Sequence, residues 1–363
     1  MKFLFIVQGE GRGHLTQAIS LAEMLKEHGH TVTEVLVGKS NSRDVPSFIR
    51  ERIDAPVRIY DAPSFVFKKD KKHIDKLRTF LFNLNLAKIR KYGKSIEMIY
   101  NRLKINAPDV VINFYEMLPG LTFLRYKIDI PLIGIGHQFM LKHPDYQFGK
   151  DDSQNMMILR LHALLTGISA TKILALSFYP MKEYLREKLV VMPPLLRKEV
   201  LDLQPSDGDY ILGYMLNTGY LNEVQRWHEK HPDVKLHFFW DKKDAENELV
   251  IDKSLTLHLI DDRKFLRYMA DCKGYITTAG FESVCEALFL GKILMLIPAH
   301  LEQEINAADA LSINGGIVGK SFDLSVLLDY IQTQPSFDID GFRRWVLSAE
   351  NLFIKELEEV TRK

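Results

Sequence analysis

The chain has 363 residues, 46% of them hydrophobic and 26% charged, with a formal net charge of +1 at pH 7. That is the composition of a soluble globular protein with room for two ordinary domains, and it excludes an overall electrostatic pull toward nucleic acid. The two cysteines, Cys272 and Cys285, form no CxxC or zinc spacing, which argues against a disulfide scaffold and suits a reducing compartment.

The opening "MKFLFIV" is apolar but gives way to glycine and charge within a few residues. It is too short for a signal-peptide core and reads as a first buried strand. A turn, "GEGRGH", leads to a helix over Leu15–His28, then come the strands "TVTEVLVG" and "VRIYDA". After a long helical region follow "DVVINFY" and "PLIGIG". Near-continuous apolar runs alternating with helices indicate an α/β fold whose parallel sheet is covered on both faces. The second half repeats the rhythm: "DYILGYML", a helix near Asn222–His231, "KLHFFW", "LTLHLI", a helix from about Arg263, "GYITTAG", a helix, and "KILMLIP". Between the halves, the prolines and polar end of "VVMPPLLRKEVLDLQPSDGD" read as a linker. The expected division is 1–192, 193–340 and a closing amphipathic helix over 341–363. The apolar face of that helix carries Phe342, Trp345, Val346, Ala349, Leu352, Phe353 and Leu357. No apolar run approaches the ~20 residues of a membrane span, so the expected location is cytoplasmic.

The glycine turn carries the first chemistry. Gly9, Gly11 and Gly13 alternate, but the third glycine of a dinucleotide fingerprint is missing and no GK[ST] follows for a P-loop. What remains is a turn that lets the backbone approach a ligand closely, with His14 at the mouth of a helix. That is the carboxyl edge of the first strand, where open α/β sheets bind ligands. The positive end of a helix disfavours a protonated imidazole, so a neutral histidine there can accept a proton. A histidine that merely hydrogen-bonds the turn is the plainer alternative.

The second constellation is "YITTAGFESVCEALFLGKILMLIPAHLEQEINAADAL". A strand ends at Thr277–Thr278 and Gly280 turns into a helix carrying Ser283 and Glu286. The start of that helix is a ready diphosphate site, and Glu286 is placed to accept hydrogen bonds from a ribose. A loop with Glu302, Gln303 and Asn306 follows the next strand. Each motif alone reads equally as an ordinary polar helix start; their joint spacing does not.

With these motifs in place, the chain resembles GT-B nucleotide-sugar glycosyltransferases, among them the enzyme that adds N-acetylglucosamine to peptidoglycan lipid I. The shared features are "GEGRGH", "AGFESVCE", "EQEINA" and the upstream "LIDDRKFLRYMADC". The resemblance implies two Rossmann-like domains facing a cleft, with the C-terminal helix returning to the first domain. It implies that Ile260 contacts the base through its backbone. Ser283 and the amides after Gly280 then hold the diphosphate, Glu286 the ribose, and Glu302 and Gln303 the donor sugar. Asn217, in "YMLNTG", reaches the phosphates. Thr278 and Glu282 stand where the plant branch has a histidine and an asparagine, and Glu10 and Arg12 replace smaller residues.

The implied reaction is an inverting, metal-independent transfer from a UDP-type sugar to an acceptor hydroxyl, with His14 as base. Glu116, just past "DVVINFY", is the candidate to orient it. Gly11, Arg12, Gly13 and His137 line the acceptor side. No cofactor is implied, because a helix dipole and amides can neutralise the diphosphate. The "DGD" at Asp207–Asp209 reads as a solvated turn rather than a metal motif. Lys68 to Lys94 is strongly basic with interleaved apolar residues. Such a segment can lie on an anionic membrane surface, which suits a lipid-linked acceptor; an ordinary helix pair with solvated lysines is the alternative. No nucleic-acid module is present. Two rivals share the fold: a non-hydrolysing UDP-sugar 2-epimerase and a non-catalytic nucleotide-sugar-binding protein.

Overall fold

The computed structural model describes residues 1–9, 11–39, 48–63, 85–146, 154–215, 218–242 and 245–361. They form two compact units: one runs up to Arg197 and resumes at Trp345, the other takes Lys198–Arg344.

In the first unit the described strands are β1 (Lys2–Gln8), β2 (Thr31–Lys39), β3 (Val57–Asp61), β4 (Val110–Phe114), β5 (Leu132–Gly136), β6 (Lys172–Leu176) and β7 (Leu189–Met192). Their order is β3-β2-β1-β4-β5-β6-β7, and every pairing is parallel. Phe3–Val7 of β1 and all of β4 and β5 are buried, which explains the unbroken apolar runs. The described helices are α1 (Arg12–Glu27), α2 (Phe48–Arg52), α3 (Leu86–Asn106), α4 (Met117–Tyr126) and α5 (Gln154–Thr166). Strand order reverses between β1 and β4, so the ligand-binding edge lies where those two strands end. Glu34 of β2 is fully buried and accepts from Arg58 of β3 and, at 2.7 Å each, from Arg102 and Asn106 of α3. A charge at that depth persists only when paired in this way.

The second unit has β8 (Tyr210–Met215), β9 (Lys235–Trp240), β10 (Glu248–Val250), β11 (Leu255–Leu259), β12 (Gly274–Thr277), β13 (Leu294–Leu296) and β14 (Ile317–Val318), ordered β10-β11-β9-β8-β12-β13-β14. Only β10, at the edge, pairs antiparallel among these. The described helices are α6 (Lys198–Leu201), α7 (Leu221–His228), α8 (Asp262–Asp271), α9 (Phe281–Phe289), α10 (Leu301–Ser312), α11 (Leu324–Gln332) and α12 (Ile339–Leu347). Leu236, Phe238 and Trp240 alternate into a core with Ile276, Phe322 and Leu327. Here the order reverses between β8 and β12.

Four expectations change. The first helix starts at Arg12, so Gly13 and His14 lie inside its first turn. The polar stretch after "ILMLIP" is helical from Leu301, not a loop. Most of the first half of the segment read as a linker is buried: Val191 and Met192 belong to β7, and Leu195 and Leu196 are 0% and 2% exposed. Apolar side chains beside the proline pair, not the prolines themselves, decide its place. The closing helix is two helices, α12 and α13 (Ala349–Thr361), because the Ser348 hydroxyl donates to the Trp345 carbonyl at 2.6 Å and interrupts the ladder. Trp345 donates from its indole to the Ser177 carbonyl at 2.9 Å, and Phe353 and Leu357 are buried within the first unit.

Candidate active site

At the first unit's ligand-binding edge, Gly9 is demanded by the fold: its amide donates to the Gly38 carbonyl at 2.7 Å, and a Cβ would collide with that oxygen. Gly11 is not. It has an extended backbone, and a Cβ there would meet nothing within 4 Å. Gly11 is also the N-cap of α1 and gives it no side-chain hydrogen bond. Arg12 and Gly13 are half-buried on that turn.

His14 is 8% exposed, and its Nδ1 lies 3.1 Å from the Gln17 carboxamide oxygen. That oxygen only accepts, so Nδ1 carries a proton. Tyr115 stacks on the imidazole, with ring centroids 5.9 Å apart at 22°. Its hydroxyl is 3.3 Å from Nδ1 of His162, and Phe139 meets its ring edge-on. Tyr115 and His162 were not singled out in the sequence. A tyrosine closing an apolar strand reads as core, and His162 sits in a helix with no motif around it.

Glu116, expected to orient His14, is seen in another task. It is the N-cap of α4, with Oε1 accepting from the amides of Met117 and Leu118 at 3.0 and 3.4 Å. Its other oxygen lies over Gly38, where a Cβ would come within 2.5 Å of it. Burial and then the Glu116 charge push the Tyr60 hydroxyl well up, and burial, Asp61 and Glu116 push Tyr92 up to about 12. His137 is 3% exposed; its Nδ1 donates to the Leu176 carbonyl at 2.8 Å, and the Tyr146 hydroxyl is 3.4 Å from Nε2. Both ring nitrogens are engaged by the protein, which is the signature of a positioned rather than a reacting imidazole.

In the second unit β12 ends at Thr277, Thr278 is buried, and Ala279 takes φ 59°, a left-handed conformation unusual for a residue with a Cβ. Asn306 of α10 donates to the Ala279 carbonyl at 3.0 Å and holds this turn. Gly280 then caps α9 without a side-chain hydrogen bond. A Cβ on Gly280 would meet only the Ser283 oxygen, at 3.7 Å. The fold does not need glycine there; an approaching ligand would. The Ser283 hydroxyl donates to the Gly280 carbonyl at 3.2 Å. Beneath the turn lie the buried Tyr275 hydroxyl, within reach of the Thr277 and Ser283 hydroxyls, and buried Thr277.

Glu286 is 2% exposed, and with Glu282 and Asp309 it adds to the burial that raises the Cys285 thiol. Gln303 is buried and its carboxamide oxygen accepts from the Ala299 amide at 2.9 Å, while Glu302 is half-buried on the first turn of α10. The amide of Ile260 donates to the Trp240 carbonyl at 3.0 Å, so a backbone contact to a base would have to use its carbonyl. Asn217 and Glu10 lie outside the described residues, as do residues 68–84 of the basic segment. Asp207 and Asp209 are exposed and Asp209 pairs with Lys235. Among the described residues no group of three or more His, Cys, Asp or Glu is arranged to hold a metal.

The family model described as glycosyl transferase family 1 matches residues 1–335. No curated protein matches the sequence. Among solved structures, UGT89C1 of Arabidopsis thaliana complexed with UDP is 15% identical, with 99% of this chain and 98% of that one covered at a TM-score of 0.64. CalG4, the calicheamicin glycosyltransferase, is 16% identical over 99% and 97% at 0.61. LpCGTa in complex with UDP is 12% identical over 100% and 99% at 0.63. At these identities the likeness is one of fold: the paired Rossmann-like units of GT-B glycosyltransferases.

Proposed function

We propose, from the premise that the chain belongs to glycosyl transferase family 1, that it moves a hexose from a UDP-sugar to an acceptor hydroxyl with inversion. That it is a glycosyltransferase follows from the family; the donor, stereochemistry and residue roles are our reading. The observation that carries the donor half is the Gly280–α9 turn, where a glycine whose Cβ would meet only the Ser283 oxygen leaves open space at the helix start. The α9 amides and Ser283 receive the diphosphate, Glu286 the ribose, and Glu302 with Gln303 the sugar. Thr278 lies at the same turn, and the Ile260 carbonyl takes the base.

In the first unit His14 Nε2 removes the acceptor proton. The acceptor oxygen attacks the anomeric carbon as its bond to the diphosphate breaks, and UDP leaves with the electron pair. The donor's negative charge meets helix amides, so the reading requires no metal. Gly11, whose Cβ would meet nothing, leaves room for the acceptor.

The start of α3 carries Lys88, Arg90, Lys91 and Lys94, with Leu86 and Ile89 exposed beside them. This suits peripheral contact with an anionic leaflet and a lipid-linked acceptor. No helix among the described residues is long and apolar enough to cross a membrane.

The test has two parts. A thermal-shift panel with UDP, GDP, dTDP, CMP and NAD is expected to show stabilisation by UDP and none by NAD. His14→Ala is expected to lower transfer by about 10²–10⁴-fold while leaving UDP binding unchanged. Stabilisation by NAD alone would overturn the donor site, and undiminished transfer would remove His14 from the mechanism.

A further inference from the structure

An aromatic ring lies against the imidazole read here as the base: Tyr115 stacks on His14. Tyr115 follows β4 with φ 56°, a left-handed conformation that residues with a side chain seldom adopt and that is held only where neighbours impose it. Here they do. A Cβ on Gly136 would sit 3.3 Å from the Tyr115 Cβ and Cδ2, so glycine is what leaves the ring its place. Phe139 packs on it edge-on, with centroids 5.0 Å apart at 76°. His162 Nδ1 and the Tyr115 hydroxyl share a hydrogen bond of 3.3 Å. The result is a buried tyrosine, 4% exposed, fixed at its Cβ, its edge and its hydroxyl, with its ring stacked on His14.

We propose that Tyr115 is a positioning residue for the His14 base and that His162 holds it there; the proposal rests on the reading of His14 as the base. While the imidazole is neutral, the stack only fixes its plane. When the acceptor proton arrives on Nε2, the ring becomes an imidazolium and the negative face of the phenol ring stabilises the new charge. The interaction strengthens as the proton moves, so it acts on the transition state rather than on bound substrate. The titratable groups around the pair are His162 behind the phenol and Glu116, the next residue in the chain. Gln17, on His14's own helix, fixes the proton of Nδ1.

The test changes the charge of the ring face and conserves its shape. Full-length protein is made with Tyr115→Phe, with a trifluorinated phenylalanine at 115, and with Glu116→Gln. Histidine side-chain NMR, with the His14 signal assigned by its loss in His14→Gln, follows the imidazole titration. Fluorination is expected to lower the proton affinity of His14 by about three- to tenfold relative to Tyr115→Phe. His162→Leu, which releases the hydroxyl, is expected to lower kcat more than it changes KM for the nucleotide sugar selected by the binding panel. A His14 titration that is the same with either ring, or that moves only in Glu116→Gln, would overturn the proposal. Undiminished transfer by His14→Gln would instead overturn the base reading, and the ring's catalytic role with it, whatever the NMR shows.

Discussion

The two units build the same turn and finish it differently. Each sheet reverses its strand order once, and the strand across that point, β4 or β12, leads into a non-glycine residue in the left-handed region: Tyr115 at φ 56° and Ala279 at φ 59°. The next residue caps a helix in both. In the first unit it is Glu116, whose carboxylate takes the α4 amides for the protein itself. In the second it is Gly280, which has no side chain to offer the α9 amides. The same backbone thus carries a carboxylate cap in one unit and a glycine in the other. On the proposed function, a single side chain separates a structural turn from an anion-binding one.

The sharpest way to break this comparison is to close the open turn. Gly280→Asp has space and an ordinary extended backbone, and its carboxylate can take the α9 amides as Glu116 takes those of α4. UDP affinity, read by calorimetry, is expected to fall by a hundredfold or more with the melting temperature unchanged or slightly raised. Retained affinity would mean that the α9 amides do not hold the diphosphate.

Acid should separate the units next. Glu34 is buried with arginines in the first, whereas the second pairs buried His258 with half-buried His237, with His237 Nδ1 and His258 Nε2 3.0 Å apart and Glu248, Lys264 and Tyr268 close by. Burial, Lys264 and His237 push His258 down to about 4. The unfolded chain then binds the extra proton, so stability present above pH ~6.5 is lost as pH falls toward about 4. Trp227 and Trp240 report on the second unit. Their fluorescence melting temperature is expected to drop across that window, and His258→Phe is expected to flatten the drop. A pH-independent melt would show that the pair is inert.

The smallest expected effects compare the caps directly. Glu116→Ala removes a cap and is expected to cost about 1 kcal/mol in urea unfolding. Gly280→Ala, which meets only the Ser283 oxygen, is expected to stay within about 0.5 kcal/mol. Equal costs would erase the distinction between the two turns.

Most of the strands that the sequence revealed are largely buried, such as "KFLFIV", "DVVINFY" and "KLHFFW", whose apolar runs have no other reading, while "VRIYDA" was legible although largely unburied. β6, "KILAL", and β7, "LVVM", were passed over although they are as buried, since each is short and lies among helical and proline-rich text. The site was legible where it depends on residues absent from ordinary turns: the glycines, His14, and the joint spacing of Gly280, Glu286 and Gln303. It was not legible where contact crosses sequence distance. Tyr115 with His162, and Asn306 with the Ala279 carbonyl, are pairs that only the fold assembles. Glu116 sits one residue from the ring that stacks on His14, a distinction that strand pattern alone does not resolve.

The first unit is made from both ends of the described chain, and this has a consequence for synthesis. All its strands leave the ribosome before the second unit is begun, yet α13 is made after the second unit is finished. Until then the places later taken by Phe353, Leu357 and the Lys172–Glu356 ion pair are vacant. During vectorial synthesis the first unit is therefore the earliest to start folding and the last to complete it. An apolar seam stays exposed on the nascent chain throughout the making of its neighbour.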